Sequence, residues 1–501
     1  MNHWTIVPLI VPLLAAILLS LLPSAWYGLR QWLSSLAALI GLVVAIELLS
    51  LVAGGEVLVY RLGNWPAPFG IVLVADRLAA AMVLLTALLG LLVLLFAVQG
   101  ADRRGRYYHV LFQFQLFGLS GAFLTGDLFN LFVFFEVLLI ASYGLLLHGG
   151  GGLRTRAGLH YVVINLVGST LFLFAVGTLY GILGSLNMAD LALRIASLSP
   201  DNLGVVKAAA LLLFVVFALK AALAPLHLWL PEAYARTDPS VAALFAIMTK
   251  VGVYAILRVY TLIFGEQAGP LADLVEPWLL PLGLATIAFG AVGVLAGKSI
   301  GQIAAYLVVV SAGTLLTAIG IGGEQGLSAA LYYLVHTTLA TAALFLLSGY
   351  LLRARGEVGD RLETGPALER PNLVAGLFML IAIAMAGLPP LSGFFGKVFI
   401  LQAGVGHALM PWIVATILVA SLLSIMGLAR GGSIVFYRAD EAQARQLSPG
   451  FALLWPPAML MLCGIGVVVF AGPVYEFTQA IAGQLIAPQD YLQAVMGRAT
   501  P

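Results

Sequence analysis

The sequence predicts an all-α polytopic membrane protein of about fourteen transmembrane helices, with two inverted five-helix repeats and broken helices 7 and 12. Three observations lead there. The 501 residues are 62% hydrophobic and 9% charged, with a mean hydropathy of +1.06, a balance that a soluble globule cannot hide. Apolar stretches of about twenty residues, enough to cross ~30 Å of hydrocarbon, recur along the whole chain. Two of them are broken by proline with a lysine close by, Lys220 in ALKAALAPLHLWLP (218–231) and Lys397 in AGLPPLSGFFGKVFIL (386–401). A charge at bilayer depth is costly and marks an ion or proton pathway, and matched interrupted helices in two halves of a chain point to a transporter's site.

The spans fall at 5–23, 32–53, 77–98, 107–125, 127–147, 157–184, 205–230, 239–263, 276–297, 300–321, 326–352, 371–405, 408–430 and 452–472. They leave one membrane domain over 1–501 and no soluble one. The first stretch lacks the basic n-region and cleavage site of a secretory signal, so it reads as a retained span. Cys463 is the only cysteine, which excludes an intramolecular disulfide, a thiolate metal cluster and a dithiol redox centre. A formal net charge of +2 without basic clusters leaves no footprint for nucleic acid.

Orientation follows from the loop charges, because short cytoplasmic loops are enriched in Lys and Arg. The odd-numbered loops hold Arg30; Arg103, Arg104 and Arg106; Arg154 and Arg156; Arg236; Lys298; Arg353, Arg355, Arg361 and Arg370; and Arg430, Arg438 and Arg445. The even loops hold little beyond Arg61 and Arg194. An even number of spans then puts both termini on the outer side. The glycine run 149–152 has no Lys-Ser/Thr after it and no strand before it, so it reads as a cytoplasmic turn and not as a phosphate loop.

On this count Lys220 lies in the seventh span and Lys397 in the twelfth, an odd offset that implies inversion. Helices 4–8 (107–263) and helices 9–13 (276–430) form the two repeats. The plainer reading of Pro225 and Pro389–Pro390 is an ordinary transmembrane kink, but a lysine accompanies both breaks.

The other ionisable residues inside spans are few. Glu136, in FNLFVFFEVLLIASYGLL, lies nine residues beyond Asp127, roughly 14 Å into its helix. Lys250 is similarly deep in the eighth span, and His336 sits in the eleventh. A buried carboxylate and a buried ammonium must pair or give up their charge. Lys220 is the expected partner of Glu136, Lys250 would receive a proton across the helix-seven break, and Lys397 would form the outlet, with water ordered by carbonyls freed at the breaks.

Structural readings stand beside these. Glu136 and Lys220 would form a static packing pair, and Lys250 would snorkel to an interface. His227 and His336 would each bond a carbonyl. Glu47, near the end of the second span, reads as interfacial or as a contact with another protein of the complex. Asp76 and Asp127 sit at helix starts, where capping and the helix dipole account for them.

The strings GDLFNLFVFFEVLLIASYGLLL, LKAALAPLHLWLPEAYA, LFAIMTKVGVYAILRVY and AGLPPLSGFFGK resemble the antiporter-like proton-translocating family shared by complex I and the multisubunit Mrp-type cation/proton antiporters. The resemblance covers nearly all of the chain. It implies a fourteen-helix core in which Glu136 and Lys220 form the coupled pair, Lys250 the connecting lysine and Lys397 the terminal lysine. One departure stands out: Thr341 occupies the place after His336 where many relatives carry a lysine. The central relay would then lean on His336, on Lys298 if it reaches inward, or on water.

The function expected from this resemblance is that of a proton-translocating subunit of a multisubunit antiporter, exchanging Na+ or another monovalent cation for protons. Its expected setting is the bacterial cytoplasmic (inner) membrane, with other membrane subunits as partners. Proton transfer would use Glu136, Lys220, Lys250, His336 and Lys397, with His227, Lys298 and Thr341 as accessory candidates. No cofactor, metal or covalent chemistry is expected of the chain. A same-class alternative is a proton-pumping subunit of complex I or a membrane hydrogenase. A different-class alternative is a membrane scaffold whose buried charges only specify assembly.

Overall fold

The computed structural model describes residues 2–440 and 449–497, so Arg445 lies outside the described residues. Nineteen α-helices run through them: α1 (Val7–Leu21), α2 (Tyr27–Val52), α3 (Arg77–Ala97), α4 (Tyr108–Leu124), α5 (Leu128–Leu146), α6 (Gly152–Leu183), α7 (Met188–Ala196), α8 (Leu203–Lys220), α9 (Trp229–Arg236) and α10 (Pro239–Leu262) in the first part of the chain. There follow α11 (Glu276–Ala296), α12 (Ile300–Ile321), α13 (Gly323–Ala354), α14 (Pro371–Ala386), α15 (Ser392–Ala403), α16 (Met410–Gly432), α17 (Trp455–Val469), α18 (Ala471–Ile486) and α19 (Gln489–Met496).

Local chemistry sets many of these boundaries. Asp76, Asp127, Asp238 and Ser299 cap the first turns of α3, α5, α10 and α12 with side-chain oxygens. Pro239 and Pro371 each occupy a first helical position, where the missing N–H costs nothing. Gly184 and Gly387 end α6 and α14 in the left-handed conformation that glycine adopts without strain.

Every predicted span holds helix, and the seventh and twelfth hold it in two pieces, α8 with α9 and α14 with α15. Among the described residues, eleven helices are long and apolar enough to cross a membrane: α2, α3, α5, α6, α8, α10, α11, α12, α13, α16 and α17. The shorter apolar α1 and α14 accompany them. Nearly every residue of α10, α12 and α13 is buried, so these three form the centre of the bundle, as helices that are apolar all round must. α4 is buried almost as fully, whereas burial of α2, α6 and α16 is one-sided, with large apolar side chains such as Val43, Leu166, Phe174 and Leu418 facing outward.

Three features went unforeseen. The connection between α2 and α3 carries an antiparallel pair, β1 (Leu58–Arg61) with β2 (Val72–Ala75). The nine-residue α7 is amphipathic and buries Met188, Leu191 and Ile195. Beyond the last predicted span, α18 packs against α13 through Thr478, Ile481, Ala482 and Leu485. Glu476 and Gln484 interrupt that segment's apolar run, so its burial comes from one face only.

The loops sort by face. Arg104, Arg154, Arg236, Lys298, Arg353 and Arg361, from five odd-numbered loops, line a single polar basin. On the opposite side the even connections bond to one another: Gly126 N–H donates to Val72 O, Leu128 N–H to Leu186 O and Met188 N–H to Gly126 O. Gly149, Gly150 and Gly151 all have positive φ, the turn expected of that run.

Candidate functional site

The two helix breaks organise the interior. α8 ends at Lys220, and Ala222 then takes φ +58, a conformation costly for a residue with a Cβ. The polar groups freed there find partners. Ala224 N–H donates to Thr286 Oγ1 of α11 at 2.9 Å, Trp229 Nε1 donates to Leu219 O at 3.1 Å, and Leu223 N–H donates to Ala218 O at 2.9 Å. At the second break, Lys397 Nζ reaches back from α15 to Ala386 O, the last residue of α14, at 2.8 Å. An ammonium on the C-terminal carbonyls of a helix satisfies an orphan acceptor and meets the negative end of the dipole.

Lys220 is 6% exposed, and its Nζ donates to Asn165 Oδ1 of α6 at 2.9 Å. The backbone carbonyl of Asn165 lies at 3.4 Å. One turn along α6, Ser169 Oγ donates to Glu136 Oε1 of α5. Glu136 and Lys220 form none of the described ion pairs, and one turn of α6 stands between the two charges. The physical reason lies in Gly168. A Cβ there would sit 2.6 Å from Leu219 Cδ2 and 3.6 Å from Lys220 Nζ, so its absence lets α8 press on α6 and brings Asn165 within reach first.

Lys250 is fully buried at the middle of α10, and its Nζ lies 3.3 Å from Ser311 Oγ of α12. Gly252 places it. A Cβ at Gly252 would fall 2.8 Å from the Lys220 carbonyl carbon, so α10 runs directly against the α8 break two residues from Lys250.

His336 of α13 meets the second break, with Nδ1 2.8 Å from Ser392 Oγ at the first residue of α15. Gly393 keeps that approach open, since a Cβ there would sit 2.8 Å from His336 Nε2. Lys397, besides Ala386 O, donates to Ser421 Oγ of α16 at 2.7 Å. Thr341 is buried and its hydroxyl points at Met385 Sδ, 3.8 Å away. Ser311 of α12 thus meets Lys250, while His336 of α13 and Ser392 of α15 meet each other at the second break.

Two accessory candidates sit elsewhere. Lys298 is exposed in the α11–α12 connection and does not reach inward. His227, just past Pro225, is buried with its ring stacked on Phe289, centroids 5.6 Å apart, and its Nδ1 has no partner among the described residues. Glu47 is exposed on α2. No group of three His, Cys, Asp or Glu comes together as a metal ligand set among the described residues.

The residue-by-residue reading missed the neutral partners Asn165, Ser169, Ser311, Ser392 and Ser421, because isolated hydroxyls and amides in apolar spans carry no charge signal. It also missed Arg258, eight residues past Lys250, although a lone arginine in LRVY was visible. Asp76 caps α3 as expected, accepting from Ala79 N–H at 2.9 Å, but it also forms a buried pair with Arg258 at 2.6 Å, beneath Tyr254 and the α19 residue Tyr491. Near the basin, burial alone would raise the Asp102 carboxyl, yet hydrogen bonds from His109 and Gln31 outweigh it and hold the group below the usual range.

The profile of the family described as NADH:quinone oxidoreductase/Mrp antiporter, transmembrane, matches residues 125–424. The chain is 40% identical to the D subunit of a probable K(+)/H(+) antiporter of Rhizobium meliloti strain 1021, over 99% of this chain and 98% of the relative. It is 37% identical to the D subunit of the Na(+)/H(+) antiporter of Bacillus subtilis strain 168, over 99% and 100%. Among solved structures, it resembles a chain of the Mrp complex from Dietzia sp. DQ12-45-1b with a TM-score of 0.88, 28% identity, and coverage of 99% and 100%. A chain of the archaeal membrane-bound sulfane sulfur reductase gives 0.89 at 25% identity, with coverage of 99% and 100%.

Proposed function

Because the chain belongs to the NADH:quinone oxidoreductase/Mrp antiporter transmembrane family, we propose that it is the proton-carrying D subunit of a multisubunit monovalent-cation/proton antiporter in the bacterial cytoplasmic membrane. In this reading fourteen segments cross the bilayer, 107–263 and 276–430 are inverted repeats, and both termini lie outside. The basic basin then faces the cytoplasm.

One observation carries the proton path. Lys220, Lys250 and Lys397 are buried, and among the described residues each donates to neutral oxygens alone: the side-chain and backbone oxygens of an asparagine, a serine hydroxyl, and a carbonyl with a second serine. An ammonium held this way gives up its proton without stranding a carboxylate beside it. The proton would pass from the Glu136–Ser169 and Asn165–Lys220 clusters across the α8 break to Lys250. It would continue past Ser311, His336 and Ser392 to Lys397, with water bridging the intervals. Glu136, one α6 turn from Lys220, biases where the positive charge rests.

The test is cation-driven proton movement in vesicles carrying the assembled complex. Lys220→Ala and Glu136→Ala should each abolish exchange at normal complex abundance, and exchange at the parental rate in either would remove the reading. A second reading, a proton-pumping component of a redox-driven complex, draws on the likeness to the sulfane sulfur reductase chain and to a chain of Thermus thermophilus respiratory complex I, TM-score 0.78. Co-purified partner proteins separate the two.

A further inference from the structure

Away from the buried lysines, a crevice of 370 Å³ opens between α2–α3 on one side and α13, α17 and α18 on the other, a volume in the range of small-ligand sites. Its walls are apolar, with Met82 and Leu85 of α3, Leu331 and Val335 of α13, Val467 of α17 and Phe477 of α18 among them. Thr478 is the one hydroxyl in the lining, and it donates to Tyr475 O at 2.8 Å. With Cys463 the one other polar side chain in the lining, the crevice offers water few partners.

One end is different. Arg77, at the first turn of α3, lies just beyond the lining residues Leu78 and Ile481, where it spans from the end of α2 to α18. Its Nε donates to Ala53 O at 3.1 Å and its Nη1 to Ala480 O at 3.3 Å. Both acceptors are neutral carbonyls, and Nη2 has no hydrogen-bond partner among the described residues. Gln484 fixes the roof, its side-chain oxygen taking Arg77 N–H at 3.3 Å and its amide donating to Gly55 O at 3.2 Å. Gly55, with φ +107, packs against this roof, since a Cβ there would lie 3.0 Å from Arg77 Nη2.

We propose that this crevice is a phospholipid site: one acyl chain lies between α3, α13 and α18, and an anionic headgroup phosphate meets the Arg77 guanidinium. A long apolar slot with a single uncompensated cation at its interfacial end matches one ligand class, a hydrocarbon chain ending in a negative group, and the bilayer supplies that class at high concentration. A partner helix would satisfy the apolar walls but not the guanidinium, unless it brought a carboxylate to that depth. The bound chain would brace the face of α13 formed by Leu331, Leu334 and Val335. The inference stands on the membrane embedding alone and is independent of the proton path.

The test uses the assembled complex in phosphatidylcholine nanodiscs containing a small fraction of phosphatidylglycerol with a photoreactive diazirine on its acyl chain, with labelled peptides mapped after illumination. Labels should concentrate in 78–88, 331–339 and 463–481, fall with unlabelled phosphatidylglycerol and persist with added phosphatidylcholine. Arg77→Gln should reduce them at least fivefold. Gly466→Leu, at a position where a Cβ meets nothing within 4 Å, should remove them by filling the slot while labelling of the exposed Leu166–Phe174 face of α6 stays constant. Crevice labelling no stronger than on α6, or indifferent to headgroup and to both variants, would leave only annular lipid and overturn the site. Labels appearing only after the complex is dissociated would overturn it in favour of a protein occupant.

Discussion

Replacing Asn165 tests the first-half cluster without touching an ionisable residue. The Lys220 ammonium has one good acceptor, Asn165 Oδ1 at 2.9 Å, and a poor one, the Asn165 carbonyl at 3.4 Å. Asn165→Leu keeps the side-chain shape and removes the amide. A hydrogen bond to a charged group contributes about 1.5–3 kcal/mol, and this part of the charged state's stabilisation vanishes. If the proton must rest on Lys220 during each cycle, exchange should slow roughly ten- to a hundredfold, since each 1.4 kcal/mol is a factor of ten. Asn165→Asp errs the other way. A carboxylate 2.9 Å from the ammonium attracts it by about 6 kcal/mol at an effective dielectric of about 20, so the proton is held too tightly and exchange should also fall. The assay is dequenching of a ΔpH dye in everted vesicles on adding Na+ or K+, with complex abundance measured in the same membranes. Parental rates in Asn165→Leu would refute the idea that α6 sets the charge on Lys220. Parental rates in Asn165→Asp alone would mean that the proton never leaves that lysine.

Lys250→Ala should lower exchange at least tenfold with assembly intact, and a fully active variant would make Lys250 a packing residue. His336→Ala and Ser392→Ala each remove one end of the 2.8 Å contact at the second break and should depress exchange to a similar degree. If both are silent, the second-half path avoids α13. Arg258→Ala should cost about 3–5 kcal/mol by leaving Asp76 charged, buried and alone, visible as reduced complex abundance and a lower melting temperature. The double replacement Arg258→Met with Asp76→Leu should recover much of that loss, and equal instability in the single and double variants would show that the pair itself is not the source.

The broken helices were legible because proline and lysine leave strong marks in apolar sequence, and the depth of Lys250 within its span followed from its unbroken apolar surround. What escaped had weaker signals. Asn165 and Ser169 sit four apart on α6, a spacing that turns both towards one face, but no charge flags them as standing between Glu136 and Lys220. Gly168 and Gly252 decide how closely α8, α6 and α10 approach, and a glycine's packing role emerges only once its neighbours are in place. Lys298 looked eligible to fill the Thr341 gap, yet its helix starts at Ile300 and leaves it in the connection. α18 was missed because only one face of it is apolar.

The two lysines at the breaks are not counterparts. Lys220 precedes Pro225 by five residues, and the residue five before Pro390 is Met385, the thioether that Thr341 faces. Lys397 instead follows its break, on the half-helix that starts there. The ammonium therefore stands before the break in the first half of the chain and after it in the second. If the two halves are inverted, as proposed, those two positions lie on half-helices at the same side of the bilayer, the segment leading into the hinge in the first half and the segment leading out of it in the second.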